Sequence, residues 1–116
     1  MTRRVMINTY KREKKMFVKL TQKCDSFAKW MEMALNNGDR LRKHGGTIIF
    51  AGTEKDDDTN MFAIIHYESI EGLKSFKEDK EFAEIRAAAG AHVETTAVTI
   101  LNDNPLVSQP SSIKNP

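Results

Sequence analysis

The stretch Met61–Tyr67, MFAIIHY, alternates as a β-strand does, yet both of its faces are largely apolar. Ala63, Ile65 and Tyr67 share one face, and Phe62, Ile64 and His66 share the other. Neither face can be left in water without cost, since each large apolar side chain left exposed forgoes about 1.5–3 kcal/mol. Whatever fold this chain of 116 residues adopts, it must cover the strand twice. A chain of that length makes one domain, burying roughly two-thirds of the surface that its unfolded form exposes, so its own core can supply one of the two coverings.

Apolar spacing orders the elements. MFVKLTQ sets Met16, Val18 and Leu20 on one side of a strand and Phe17, Lys19 and Thr21 on the other. Asp25 or Ser26 can then N-cap a helix whose stripe runs Phe27, Trp30, Met31, Ala34 and later Leu41. Arg40, Arg42, Lys43 and His44 place positive charge in its last turn, and Gly45 and Gly46 supply its stop. TIIFAG is a second strand, and across the polar loop TEKDDDTN it pairs with MFAIIHY as an antiparallel hairpin. From Ser69 a second helical segment carries Ile70, Leu73 and Phe76 on one stripe. Phe82 and Ile85 are out of phase with it, because at about 100° per residue Phe82 falls roughly 240° from Phe76. The helix therefore breaks near Asp79, which can cap a second piece, KEFAEIRAAA, that Gly90 ends. HVETTAVTIL, rich in β-branched residues, is the last strand. The order is β-α-β-β-α-β, the ferredoxin-like α+β arrangement of a four-stranded antiparallel sheet with helices on one face.

The ends differ from this middle. Residues 1–15 carry six Lys or Arg against Glu13, whereas residues 16–116 carry twelve against fifteen acids, so the net charge of +2 hides a basic leader on a mildly acidic domain. The leader reads as solvated, and Met6 or Met16 could equally begin the functional chain. NDNPLVSQPSSIKNP has little to bury and reads as a disordered tail. The expected organisation is a leader at 1–15, a domain at 16–101 and a tail at 102–116. No apolar run approaches the ~18 residues of a membrane span, the start lacks a secretory apolar segment, and the single Cys24 cannot form an intrachain disulfide. These features favour a cytoplasmic protein.

Two helical segments cover one face of the sheet. Val18 and Leu20 give the first strand an apolar row like that of Ala63, Ile65 and Tyr67, which assigns those residues to the helix side and leaves Phe17, Phe62 and Ile64 on an open face. An apolar patch of that size marks an interaction surface. The element order, and above all IIHYESIEGLKSFKEDKEFAEIRAAAG with its strand, short helix, break before DKEF and second helix, resembles the dimeric α+β barrel superfamily. The chain is also similar to a small family of uncharacterised proteins within it, known chiefly from cyanobacteria. The resemblance covers about residues 16–101. It implies a homodimer whose two open sheets face each other around a cavity, and it admits monooxygenase-like or isomerase-like activity as well as modules with no reaction. The haem-degrading branch relies on an Asn, a Trp and a haem-ligating His; here the first strand ends in Gln22 instead of Asn, and Trp30 sits on a helix stripe as a core residue. No cofactor is expected.

In such a barrel His66 points into the cavity near Lys19, with Thr95 and Thr99 on the last strand. A mostly apolar cavity with a few convergent polar groups is the usual form of a small-molecule site, and imidazole can act as acid, base or ligand near neutral pH. The candidate ligand-binding set is Phe17, Lys19, Phe62, Ile64, His66, Thr95 and Thr99, with His66 the candidate catalytic residue. The alternative is a single-stranded RNA-binding module, because RNA-recognition motifs share this element order and read bases with strand aromatics. Met16, Phe17 and Val18 match the shorter motif of that family, and Phe62, Ala63, Ile65 and Tyr67 match the longer. Against it, Leu20 and Ile64 stand where an Asn and a stacking aromatic belong, and Glu54, Asp56, Asp57 and Asp58 would repel phosphates. EKDDDTN lacks the spacing and glycine of a calcium loop, so no metal is expected there, and Cys24 has no activating partner beyond Lys23. His44 and His92 fall at element ends, where surface or capping roles suffice.

Overall fold

A computed structural model describes residues 16–102 and 104–107; the basic leader and most of the proposed tail lie outside the described residues. The elements are β1 (Met16–Cys24), α1 (Phe27–Asn36), α2 (Gly38–Lys43), β2 (Gly46–Thr53), β3 (Asn60–Tyr67), α3 (Ile70–Lys77), α4 (Lys80–Ala88) and β4 (Ala91–Ile100). The four strands form one antiparallel sheet in the order β2-β3-β1-β4, the ferredoxin-like arrangement expected from the sequence. Among the described residues no helix is long and apolar enough to cross a membrane.

The central strands place their residues as the alternation requires. Val18, Leu20, Met61, Ala63, Ile65 and Tyr67 are buried beneath the helices, with Trp30, Leu41, Leu73, Phe76 and Phe82 packed onto them. Ser26, the N-cap of α1, accepts from Lys29 N, and Ser69 caps α3 by accepting from Gly72 N. The expected break is present: Asp79 separates α3 from α4 and accepts from Phe82 N.

The first helical segment departs from expectation. It is two helices, interrupted at Asn37, and the methionine buried beside Trp30 on α1 is Met33, with Met31 exposed. Trp30, Met33, Ala34 and Asn37 stand at i, i+3, i+4 and i+7, the true inward stripe, whose last member is polar and so did not read as apolar. The Asn37 amide donates to Met33 O at 2.8 Å, closing α1.

His44 is more than a surface residue. Its side chain is only 15% exposed, with Nδ1 2.6 Å from Ser75 Oγ and Nε2 2.8 Å from Asp79 Oδ2. Asp79 also receives both Nε and Nη2 of Arg40, at 3.1 and 3.0 Å. Ser75, His44 and Asp79 thus follow the order of a nucleophilic relay, but the carboxylate is committed to Arg40 and the α4 cap, and Ser75 bonds Gly72 O within its own helix. The cluster is a clamp joining α2 to the α3–α4 junction. The Arg40 hydrogen bonds, then His44 and the Phe82 amide, hold the Asp79 carboxyl well below the usual carboxylate range. A depressed folded-state pKa contributes stability that is fully present above about pH 4 and is lost as pH falls toward the folded value. Asp79→Asn keeps a competent cap but removes the charge, so its stability, followed by urea unfolding from pH 7 to pH 2, should fall less steeply with acid than that of the wild type. Asp79→Ala should lose about 1 kcal/mol more through the cap.

Candidate functional site

The open face of the sheet carries most of the residues expected there. Phe17 lies opposite His66 and Lys19 opposite Ile64 across β1–β3, and Thr99 lies opposite Lys19 across β1–β4. The Phe17 and His66 rings are 5.0 Å apart, and the Nε2 of His66 is buried without a hydrogen-bond partner among the described residues. β2 adds an aromatic that the sequence reading missed. A register shift between Ile48 and Phe50 puts Phe50 opposite Ile64, exposed, with its ring 5.8 Å from that of Phe62. Thr95 is placed elsewhere than beside His66: it sits in a wide irregularity of β4, its hydroxyl accepting from Lys23 N at 2.9 Å and donating to His92 O at 2.6 Å.

A concavity lies on the other side of the sheet, between it and the helices. The space in it open to the centre of a water-sized sphere is about 40 Å³, and the recess opens to solvent. Leu20, Ile48 and Ile65 form its sheet wall, and Trp30, Phe76 and Phe82 supply aromatic faces. Its polar members are Gln22, Asn37 and Arg86. None was singled out as functional by the sequence reading. Each nonetheless holds an inward position of its element: Gln22 continues the alternation of Val18 and Leu20, Asn37 ends the stripe of Trp30, and Arg86 follows Phe82 by four residues. A polar residue in phase with an apolar row was the signal available.

Arg86 defines the electrostatics of this pocket. It is 8% exposed and takes part in none of the ion pairs among the described residues. Its guanidinium carbon lies 4.7 Å from the Phe76 ring centre and 5.4 Å from that of Phe82, and its Nε has no hydrogen-bond partner among the described residues. Burial lowers its pKa, offset in part by Tyr67 and Asp79. Tyr67, fully buried against Phe76, has a hydroxyl that likewise lacks a partner among the described residues, and burial pushes its pKa up. A cation held under two rings gains some cation–π stabilisation, but without a counter-charge it remains costly to bury. Gln22 is 4% exposed and accepts from Trp30 Nε1 at 3.1 Å.

Other candidates resolve differently. The buried Cys24 thiol donates to Asp58 O at 3.5 Å, and burial, with the charges of Asp58 and Asp25, raises its pKa, the opposite of an activated nucleophile. In the acidic loop Asp57 is held at about 2 by Thr59 and Asn60, as in a self-bonded turn, and no group of metal-ligating residues occurs among the described residues. His92 pairs with Asp25 at 2.7 Å near the surface.

No protein-family model and no curated protein matches the sequence. Solved structures do match. The chain resembles the monooxygenase from the gene ActVA-Orf6 of Streptomyces coelicolor, solved with nanaomycin D, at 15% identity over 85% of this chain and 96% of that one, with a TM-score of 0.51. SnoaB, a cofactor-independent oxygenase from Streptomyces nogalater, gives 12% identity over 82% and 97%, with a TM-score of 0.54. A dimeric ferredoxin-like protein from an uncultured marine organism gives 14% identity over 83% and 95%, with a TM-score of 0.50. At these identities the likeness establishes the ferredoxin-like fold over nearly the full length of each neighbour. The link to a cyanobacterial family is not part of it.

Proposed function

We propose that this chain forms a homodimeric α+β barrel and that each protomer binds a small, planar, partly apolar molecule with an acidic oxygen in the pocket between sheet and helices. The observation that carries this reading is Arg86, a buried guanidinium on the wall of an aromatic pocket that forms no ion pair among the described residues. A phenolate or enolate would supply the missing counter-charge while its carbon frame covers Leu20, Ile65 and Trp30. Arg86 favours the ionised form of such a group, and the surrounding rings keep water from competing. An ionised phenol or enol is the electron-rich species from which both oxygenation and isomerisation begin. Two neighbours described as oxygenases, one of them solved with nanaomycin D, fit the same reading.

A second reading rests on His66, whose buried Nε2 on the open face lacks a partner among the described residues. In the homodimer that face closes against a second copy, and Phe17, Lys19, Phe62, Ile64, His66 and Thr99 line a cavity between protomers that takes the small molecule instead.

The pocket reading is tested by titrating wild type and Arg86→Met with 2-hydroxy-1,4-naphthoquinone and its 2-methoxy ether, following the fluorescence of Trp30, the only tryptophan. Wild type should prefer the acidic hydroxyquinone by about tenfold or more, corresponding to roughly 1.4 kcal/mol, and Arg86→Met should lose that preference while still binding the ether. Equal affinities in wild type, or a preference that survives in Arg86→Met, would refute the role of Arg86.

A further inference from the structure

The irregularity of β4 has a definite geometry. Thr21 pairs with Ala97 and Lys23 with His92, so the single residue Gln22 is opposed by residues 93–96. Two threonines tie this excursion down. Thr95 accepts from Lys23 N, and Thr96 donates its hydroxyl hydrogen to Val93 O at 2.7 Å. With that hydrogen committed, Thr96 Oγ can only accept, and it accepts from Gln22 Nε2 at 2.5 Å. At its other end the Gln22 amide meets the Trp30 indole, which can only donate, at 3.1 Å. Both neighbours therefore demand the same amide orientation, oxygen toward Trp30 and nitrogen toward Thr96. The second hydrogen on Nε2 is unused by either contact, and Gln22 is part of the pocket wall.

We propose that Thr96 is a positioning residue for the pocket: through the excursion of β4 it fixes the Gln22 amide so that one N–H is held ready as a donor to the bound molecule, complementing the charge of Arg86. This rests on the pocket reading above. A free Gln side chain could present either its oxygen or its nitrogen to an anionic oxygen, and only one of these attracts it. Locking the amide removes the repulsive orientation before binding, the general advantage of a preorganised site.

The test uses the full chain as wild type, Thr96→Val, which removes the hydroxyl at nearly constant volume, and Thr96→Ser, which restores it. Affinity for 2-hydroxy-1,4-naphthoquinone is read from Trp30 fluorescence, and the Gln22 side-chain amide and Trp30 indole signals are followed by NMR without ligand. Thr96→Val should bind about five- to tenfold more weakly, an effect of the size of one hydrogen bond. Its Gln22 amide and Trp30 indole signals should move toward solvent-like positions, and Thr96→Ser should restore both readouts. If Thr96→Val does not fold, Thr96→Ala against Thr96→Ser makes the same comparison. Wild-type affinity in Thr96→Val, or a Thr96→Ser variant as impaired as Thr96→Val, would overturn the proposal. An unchanged Gln22 amide signal in Thr96→Val would overturn it too, whatever the affinity. If wild type binds no probe at all, the pocket reading falls, and a Thr96-dependent Gln22 signal then reports structure only.

Discussion

Gly72→Ala should be among the most destabilising single-methyl additions in this domain, although helix propensity alone says the opposite. Gly72 lies inside α3, where alanine is favoured over glycine by roughly 1 kcal/mol. A Cβ built there, however, would run into the backbone carbonyl oxygen of His44, far inside contact distance, and a carbonyl cannot turn aside as a flexible side chain can. The same Gly72 N–H is the donor that Ser69 caps at 3.2 Å, so moving α3 outward would strain its own start. It would also disturb the His44–Ser75 and His44–Asp79 contacts. Overpacking of this kind costs about 3 kcal/mol. For a domain of this size that lowers the melting midpoint by roughly 12–24 °C. A calorimetric scan decides: a higher midpoint in Gly72→Ala would mean that α3 does not sit against the His44 carbonyl.

The second large effect concerns assembly. Phe62 is half-buried on the open face, beside an exposed Phe50 and in the same row as Ile64 and His66, and among the described residues no helix packs over that row. A homodimer through this face predicts that wild type sediments as a dimer at micromolar concentration. Phe62→Asp should sediment as a monomer under the same conditions, its dimerisation weakened by at least about a hundredfold, since an unpaired carboxylate would have to be buried. The protomer should remain folded, because Phe62 is outside the helix-covered core. A wild type found only as monomer would remove the barrel assembly, and salt-sensitive binding of mixed-sequence single-stranded RNA by that monomer would replace it with the RNA reading.

Much of the fold was legible because its signals are local. Period-two alternation in β1 and β3 assigned Val18, Leu20, Ala63, Ile65 and Tyr67 to the covered face correctly, and the phase slip between Phe76 and Phe82 located the break that Asp79 caps. The first helical segment was misphased for a physical reason: the expected stripe counts from Phe27, whose i+4 neighbour is Met31, whereas the buried stripe counts from Trp30 through Met33 and ends on the polar Asn37. The candidate site was only half legible. His66, Phe17 and Phe62 follow from alternation, whereas Phe50 depends on a register shift and Thr95 on the excursion of β4, both irregularities that pairing creates and no single strand announces. Gln22 and Arg86 were hidden because polar residues were read as outward, and only the packed helices reveal that they point the other way.

The most direct test of the pocket is to crystallise the full chain with 2-hydroxy-1,4-naphthoquinone and find where the probe lies. One molecule per protomer is expected between sheet and helices, its acidic oxygen within hydrogen-bond distance of Arg86 and Gln22 and its ring system against Trp30. Density confined to the space between facing sheets, beside His66, or no density at millimolar probe, would contradict this expectation.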